Sequence, residues 1–277
     1  MKHIIFPIAF FALFLVSCNN GNETKTENDT TNTEEVANAK DNSLVSKIEV
    51  TDNESGEKSG VTLKYDNENR LVEMIPTNAD ASTKISYDGN NITVTGEYSI
   101  VKYEINGEEI TETESMDGEE LSKIVYKIDN GKIKESKDMQ SGIDITTTYK
   151  WENNCIMEEI KTITDMGDAS DFTTKYKYGN ARNTFNIDII NILYNYHIDK
   201  PGIRSLTDGF QSEFLPEEIT WEGIVDGCMP TKNTFTYEYV FDGELISEIH
   251  ISLTHISTDD DDNEEVEKTS QTVKLTY

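Results

Sequence analysis

The segment 124–136, Ile-Val-Tyr-Lys-Ile-Asp-Asn-Gly-Lys-Ile-Lys-Glu-Ser, sets two runs of alternating apolar and polar residues around an Asp-Asn-Gly turn. Asn-Gly supplies the positive φ angles of a type I′ turn, whose twist matches the flanking strands, and Ile124, Tyr126 and Ile128 fall on one face at period two. A β-hairpin is expected there, and the pattern recurs. Tyr65-Asp66 leads into Asn67-Glu68-Asn69 and Leu71, and Tyr87-Asp88 into Gly89-Asn90-Asn91 and Ile92. Tyr149 leads to Glu152-Asn153-Asn154 and Ile156, and Tyr239 to Asp242-Gly243 and Leu245. A chain punctuated in this way is constrained to antiparallel strands joined by short turns.

The alternation places strands at 44–52, 60–66, 71–75, 83–88, 92–96, 98–106, 109–115, 121–129, 132–137, 143–152, 155–164 and 171–178. Short turns at Asn106-Gly107, Asp117-Gly118 and Asn130-Gly131 pair consecutive strands as a meander. Glu and Lys fill the alternate positions, as in 109–114, so one side of the sheet is expected to be wet. The pattern breaks at Asn180. Over 183–196, Asn183 stands as an N-cap, Asp188 falls near the first turn, and Ile189, Ile190, Leu193 and Tyr196 repeat at helical spacing. A helix is expected, with a strand left open by the β-branched content. Pro201-Gly202 ends it, 209–216 reads as an ordered loop or one helical turn, and strands return at 234–241, 245–257 and 271–277. The hairpin pattern never changes character, so one β domain is expected over 44–277 of the 277 residues.

Met1-Lys2-His3 followed by the apolar run 4–16 has the layout of a charged n-region and an h-region too short for an ordinary membrane-spanning helix. The box that follows, Leu15-Val16-Ser17-Cys18, resembles the lipidation signal of bacterial lipoproteins. The resemblance implies a signal peptide over 1–17, a diacylglycerol on the Cys18 thiol, cleavage before it and acylation of the new amino end. The alternative is a buried or disulfide-bonded cysteine beside an ordinary cleavage site. More than one acyl chain gives a stable membrane anchor. Asn19 after the cysteine points, by the same resemblance, to the outer membrane; the leaflet stays open, since Glu23 is the first acidic residue. Residues 18–43 carry almost nothing apolar and read as a lipidated cysteine and polar tether, spanning roughly 25–30 Å as a coil of about 24 residues. Asp29-Thr30-Thr31 resembles the O-glycosylation signal of Bacteroidota exported proteins, which would make Thr30 an acceptor; a chance match in a Thr-rich stretch is the alternative.

A formal charge of −29 argues against nucleic acid or an anionic membrane face as partner, because both need clustered Lys and Arg. Acidic side chains keeping an exposed β protein soluble account for it, and calcium outside the cell is a further reason. The mature domain resembles a family of Bacteroidota lipoproteins with a porin-like β-meander domain and no assigned activity. The residues that carry the resemblance are the Tyr/Asp hairpins, Asn186-Ile187-Asp188, and Gly209-Phe210-Gln211-Ser212-Glu213-Phe214-Leu215-Pro216 before a strand at 218–223. It implies a half-open or closed barrel. The hairpins also resemble the tyrosine–aspartate repeats of large secreted toxins, at less regular spacing.

Residues with chemistry to offer are few. His197, His250 and His255 remain after the signal peptide, and the last two differ by five in a strand, so they face opposite sides. No Gly-x-Ser-x-Gly, His-Glu-x-x-His or phosphate-binding glycine loop occurs. Asp165, Asp168 and Asp171, and the acidic run 259–265, are calcium candidates set against a solvated hairpin loop. Cys155 and Cys228 form an even pair for which a disulfide is allowed in an oxidising compartment. Tyr149 and Trp151, Tyr176 and Tyr178 with Phe172, and Tyr237 and Tyr239 with Phe235 and Phe241 repeat at period two. Each row is core, or a concave face for a sugar or apolar ligand. The reading is an all-β outer-membrane lipoprotein, a meander forming a half-open or closed barrel partly filled by residues 185–196. No cofactor is expected. Its function is binding or envelope organisation without catalysis, the partner being an envelope protein, a glycan or a small ligand. A carrier with a Tyr-rich cavity, a hydrolase using a carboxylate pair and a transmembrane barrel are the alternatives.

Overall fold

The computed structural model describes residues 44–77, 81–140, 143–165, 168–185, 187–194, 201–202, 206, 212–225, 229–258 and 264–277. Sixteen strands follow one another: β1 (Lys47–Asp52), β2 (Lys58–Tyr65), β3 (Leu71–Pro76), β4 (Thr83–Asp88), β5 (Asn91–Thr95), β6 (Ile100–Asn106), β7 (Glu109–Met116) and β8 (Glu119–Asp129), then β9 (Lys132–Gln140), β10 (Ile143–Glu152), β11 (Cys155–Asp165), β12 (Asp168–Arg182), β13 (Phe214–Val225), β14 (Met229–Asp242), β15 (Leu245–Thr258) and β16 (Glu264–Thr276). Each pairs antiparallel with its neighbours in the chain, and β1 closes on β16 from Lys47↔Thr276 to Asp52↔Gln271. The all-β meander is therefore a closed barrel. Thr83–Asp88 and Ile143–Glu152 have the bounds read from alternation.

Turn chemistry sets the lower rim, where even-numbered strands hand over to odd ones. Asn130 and Gly131 hold φ of 51° and 73°, the type I′ signature, and Asn153 and Asn154 repeat it at 48° and 63°. Gly89, Gly107 and Gly243 take positive φ at the first position of their turns, as type II′ requires. Because a Cβ at Gly131 would meet nothing within 4 Å, a Gly131→Val change probes backbone strain alone. The variant is expected to lose about 1–3 kcal/mol of stability, seen as a lower urea midpoint at unchanged slope.

The wall is uneven. Strands β1–β6 hold five to eight residues, whereas β8–β16 hold nine to fifteen. Exposed and buried residues alternate along the tall wall, as in Lys175, Tyr176 and Lys177, or Phe235, Thr236 and Tyr237. The outward positions carry Lys, Glu and Thr, exemplified by Lys127, Lys150, Glu222 and Lys274, and the apolar inward ones form one cluster. A membrane-spanning barrel has the opposite exterior, an apolar band about 25 Å tall.

Sixteen strands enclose more volume than strand side chains fill in small barrels, and the chain supplies its own filling. Between β12 and β13, Phe185, Ile187, Ile189, Ile190, Leu193 and Leu206 are buried in the same cluster as Ile48, Leu63, Ile219 and Val273 on the wall. Residues Ile189–Tyr194 form a short helix, α1. It begins later than Asn183, which is a correction to the expected cap. The Asn183 amide still donates to the Glu213 carbonyl, continuing the β12–β13 pairing, and its side-chain oxygen accepts from the Phe185 amide in a local turn. Asp188, buried at 4 % exposure, occupies the position before α1. Other bounds shift too: β12 runs from Asp168 on to Arg182, β14 begins at Met229 and β16 at Glu264, and Phe214–Pro216, expected in a loop, belong to β13, where Tyr178↔Pro216 and Arg182↔Phe214 pair. Residues 186, 195 and 196 of the expected helix and 209–211 of the expected loop lie outside the described residues.

Candidate functional site

The aromatic rows face inward as far as Tyr239, and they divide into two kinds; Phe241, expected in the same row, lies beyond the register shift at Val240/Phe241 and is half exposed, which is a correction. Tyr149, Tyr176 and Tyr237 are buried core. Trp151, Tyr178 and Tyr239, one step nearer the lower rim, use their polar ends as latches. Trp151 Nε1 donates to Ile133 O at 2.8 Å, Tyr178 Oη to Ile156 O at 2.9 Å and Tyr239 Oη to Pro216 O at 2.7 Å. Tyr65, Tyr87 and Tyr277 do the same to Val45, Leu71 and Ile246. Every latch runs from the end of an even strand to the start of the odd strand before it.

The latch replaces ladder. Between β9 and β10 the backbone register stops at Thr148↔Glu135, between β11 and β12 at Glu158↔Lys175, and between β15 and β16 at Glu248↔Lys274, and below each a ring bridges the strands. On β6 and β8 an isoleucine, Ile105 or Ile128, holds the corresponding place. There the ladder continues to the rim, with the Ile105 amide on Asn90 O and the Ile128 amide on Glu108 O. A buried carbonyl needs a donor, and the tyrosine supplies one where the strands splay. Burial raises the Tyr239 phenol well above its ordinary range and pushes that of Tyr277 up to about 12, so both remain donors at any physiological pH.

Above the apolar floor lies a polar belt on consecutive strands: Tyr103 on β6, Glu112 on β7, Tyr126 on β8, Ser136 on β9, Tyr149 on β10, Glu159 on β11 and Tyr176 on β12. Tyr126 Oη donates to Glu112 at 2.6 Å and Tyr176 Oη to Glu159 at 2.8 Å, while the hydroxyls of Ser136 and Tyr149 are 3.3 Å apart. Burial, and then the Glu112 charge, hold the phenols of Tyr103 and Tyr126 well above their ordinary value. The carboxylates therefore face neutral donors. One strand position higher, Lys161 sits between Thr147 and Phe172; burial brings its ammonium pKa down to about 8, against the opposing pull of Asp138. Farther round the tall wall Phe172 and Trp221 stack at 5.5 Å over Gly223, where a Cβ would collide with the Phe172 ring, and His255 Nδ1 lies 2.6 Å from Asn233 Oδ1.

This belt was not legible as a site. Glu112 and Glu114 share the parity of Ile110, a signal that charge turns inward. Glu159 and Lys161 lie beyond the register shift at Lys150/Trp151, which hides their parity. Chemically the arrangement holds carboxylates inside the barrel against phenol donors.

The remaining candidates separate. Asp165 pairs with Asp168 across the β11–β12 turn, but Asp171 differs from Asp168 by three and falls on the other face, where it accepts from Thr162 Oγ1 at 2.7 Å. Among the described residues no three His, Cys, Asp or Glu side chains come together as metal ligands. Glu264 and Glu265 belong to β16, and 259–263 lie outside the described residues. Cys155 is a buried free thiol at the lower rim, raised in pKa by burial and bonded to Ser212 and the Phe214 backbone. Cys228 lies outside the described residues; its neighbour Met229 starts β14 at the upper rim. His250 meets Glu248 outside the barrel and His255 meets Asn233 inside; His197, Cys18 and Thr30 are not among the described residues.

The interior space beside the helix is small. Leu193, Phe235, Tyr237, Ile251 and Leu253 surround about 20 Å³, room for a water molecule. No protein-family model matches the chain, and no curated protein does. The class defined by the fold is a closed sixteen-stranded up-and-down barrel; among the described residues an apolar segment packs inside it, with a polar belt above the core.

Proposed function

We infer that the protein is a lipid-anchored module of the outer membrane that binds an envelope partner through its exterior and does no catalysis. The observation that carries this reading is the apolar segment Phe185, Ile187, Ile189, Ile190 and Leu193 packed inside the barrel among the described residues, where a carrier would need a ligand cavity of roughly 300–1,000 Å³. The space beside Leu193 is about 20 Å³. The anchor rests on Leu15-Val16-Ser17-Cys18. Two features of the domain agree with it. The outward positions of the tall wall bear Lys, Glu and Thr, as a wall in water requires. The chain also enters the barrel at the lower rim, where the Ser46 amide donates to Thr276 O, so a tether would join the domain at that rim.

Metabolic labelling with a radiolabelled fatty acid tests the anchor. Wild-type chain is expected to incorporate label and to run as a processed form. A Cys18→Ser variant should accumulate as unlabelled precursor. Normal labelling of that variant would remove the lipoprotein reading.

A further inference from the structure

We propose that the upper edge of β16 takes an extended basic segment of a partner protein as an added strand. This names the partner chemistry of the binding module and rests on that reading for its biological role, though not for its geometry. β16 runs the height of the tall wall, and β15 pairs with it up to Thr258↔Glu264. β1, on its other side, follows only to Asp52↔Gln271. There the Asp52 carboxylate accepts from the amides of Glu54 and Ser55, at 3.0 and 2.7 Å, and winds the chain into the β1–β2 turn. Asn53 fastens the corner, its side chain donating to Ser270 Oγ and accepting from Thr272 Oγ1. Residues 264–269 of β16 therefore stand above the short wall with a strand on one side alone.

The backbone of that stretch presents unused donors and acceptors. The last bond toward β1 runs from the Asn53 amide to Ser270 O at 3.0 Å, so even-numbered residues of β16 turn their N–H and C=O toward β1 and odd-numbered ones toward β15. Neither ladder carries a register shift. Glu264, Val266 and Lys268 thus direct their backbone groups past the end of β1, where no backbone partner meets them among the described residues. All of Glu264–Lys268 are exposed. The side chains select what can lie there. On the outward face Val266 sits beside Ile256, between Glu264 and Lys268, whose charges offset each other. The inward face carries Glu265 and Glu267, and aspartates 259–262 precede the strand in the sequence. A segment alternating apolar and basic residues fits both faces, with apolar side chains beside Val266, basic ones beside Glu265 and Glu267, and main-chain bonds closing the edge. The charge of −29 on the whole chain attracts a partner of the same sign.

Amide hydrogen exchange on the purified full chain, resolved to single residues, tests this. In the free protein the Val266 and Lys268 amides are expected to exchange at least about tenfold faster than that of Glu267, which bonds to β15. The peptide acetyl-Lys-Val-Lys-Val-Lys-Val-amide at about 1 mM should slow both. The same peptide N-methylated at its valines keeps the charge but lacks the donors opposite Val266, and it should not protect them; nor should the Glu-for-Lys analogue. Val266→Pro removes a donor that β15 does not use, so it should melt within about 3 °C of wild type and bind the lysine peptide about tenfold more weakly, whereas Glu267→Pro breaks a ladder bond and should melt lower. The proposal is overturned if Val266 and Lys268 are as protected as Glu267 without peptide, by the chain itself or by a second copy at high protein concentration. It is equally overturned if the lysine peptide leaves them unprotected, if either control peptide protects them as well, or if Val266→Pro melts as low as Glu267→Pro. None of these readouts depends on lipidation, so a failed edge and a failed anchor are told apart.

Discussion

Leu193→Ala is expected to lower the free energy of unfolding by about 2–5 kcal/mol, the range for a buried leucine whose site cannot collapse. Leu193 is 7 % exposed and packs within the barrel beside Phe235, Tyr237, Ile251 and Leu253. The collapse that softens such a change elsewhere is blocked here. The wall cannot move inward without breaking ladders, since β14 and β15 are paired over twelve positions from Thr231↔Ser257 to Asp242↔Leu245. Urea denaturation followed by tyrosine fluorescence reads the loss. If α1 were a loosely held lid, the same variant would unfold within about 0.5 kcal/mol of wild type.

The second large effect is expected at Tyr176→Phe, at about 1.5–3 kcal/mol. Its hydroxyl donates to Glu159 Oε1 at 2.8 Å, and Glu159 is 4 % exposed. Removing the donor leaves the ring in place, so packing is nearly unchanged and the cost is the lost partner of a buried acceptor. Urea denaturation at pH 7 measures it. A loss below about 0.5 kcal/mol would show that the Tyr176 hydroxyl does not support the Glu159 side chain.

Much of the barrel could be read from turns, because a type I′ turn demands a positive φ that Asn and Gly tolerate, and the demand is local. Asn130-Gly131 and the strands Thr83–Asp88 and Ile143–Glu152 show this. The start of α1 was less legible. Asn183 offers the same short side chain to a helix cap and to a turn at a strand end, and pairing with Glu213, thirty residues later in the chain, decides between them. The tyrosines before the turns were visible as a repeat, but their role as latches depends on carbonyls about twenty residues away, such as Ile156 for Tyr178. The belt was the least legible part. Register shifts at Lys150/Trp151 and Val240/Phe241 reset the two-residue period, so inward and outward could not be carried along the chain.

The filled interior is the claim on which the functional reading turns, and mass spectrometry of an organic extract of the natively purified wild-type chain tests it most directly. Covalent acyl chains stay with the protein in such an extract, so only non-covalent ligands appear. The account predicts no lipid or sugar near one per chain, because about 20 Å³ beside Leu193 holds no more than a water molecule. A single lipid or glycan species released at roughly one equivalent would contradict it and make the barrel a carrier.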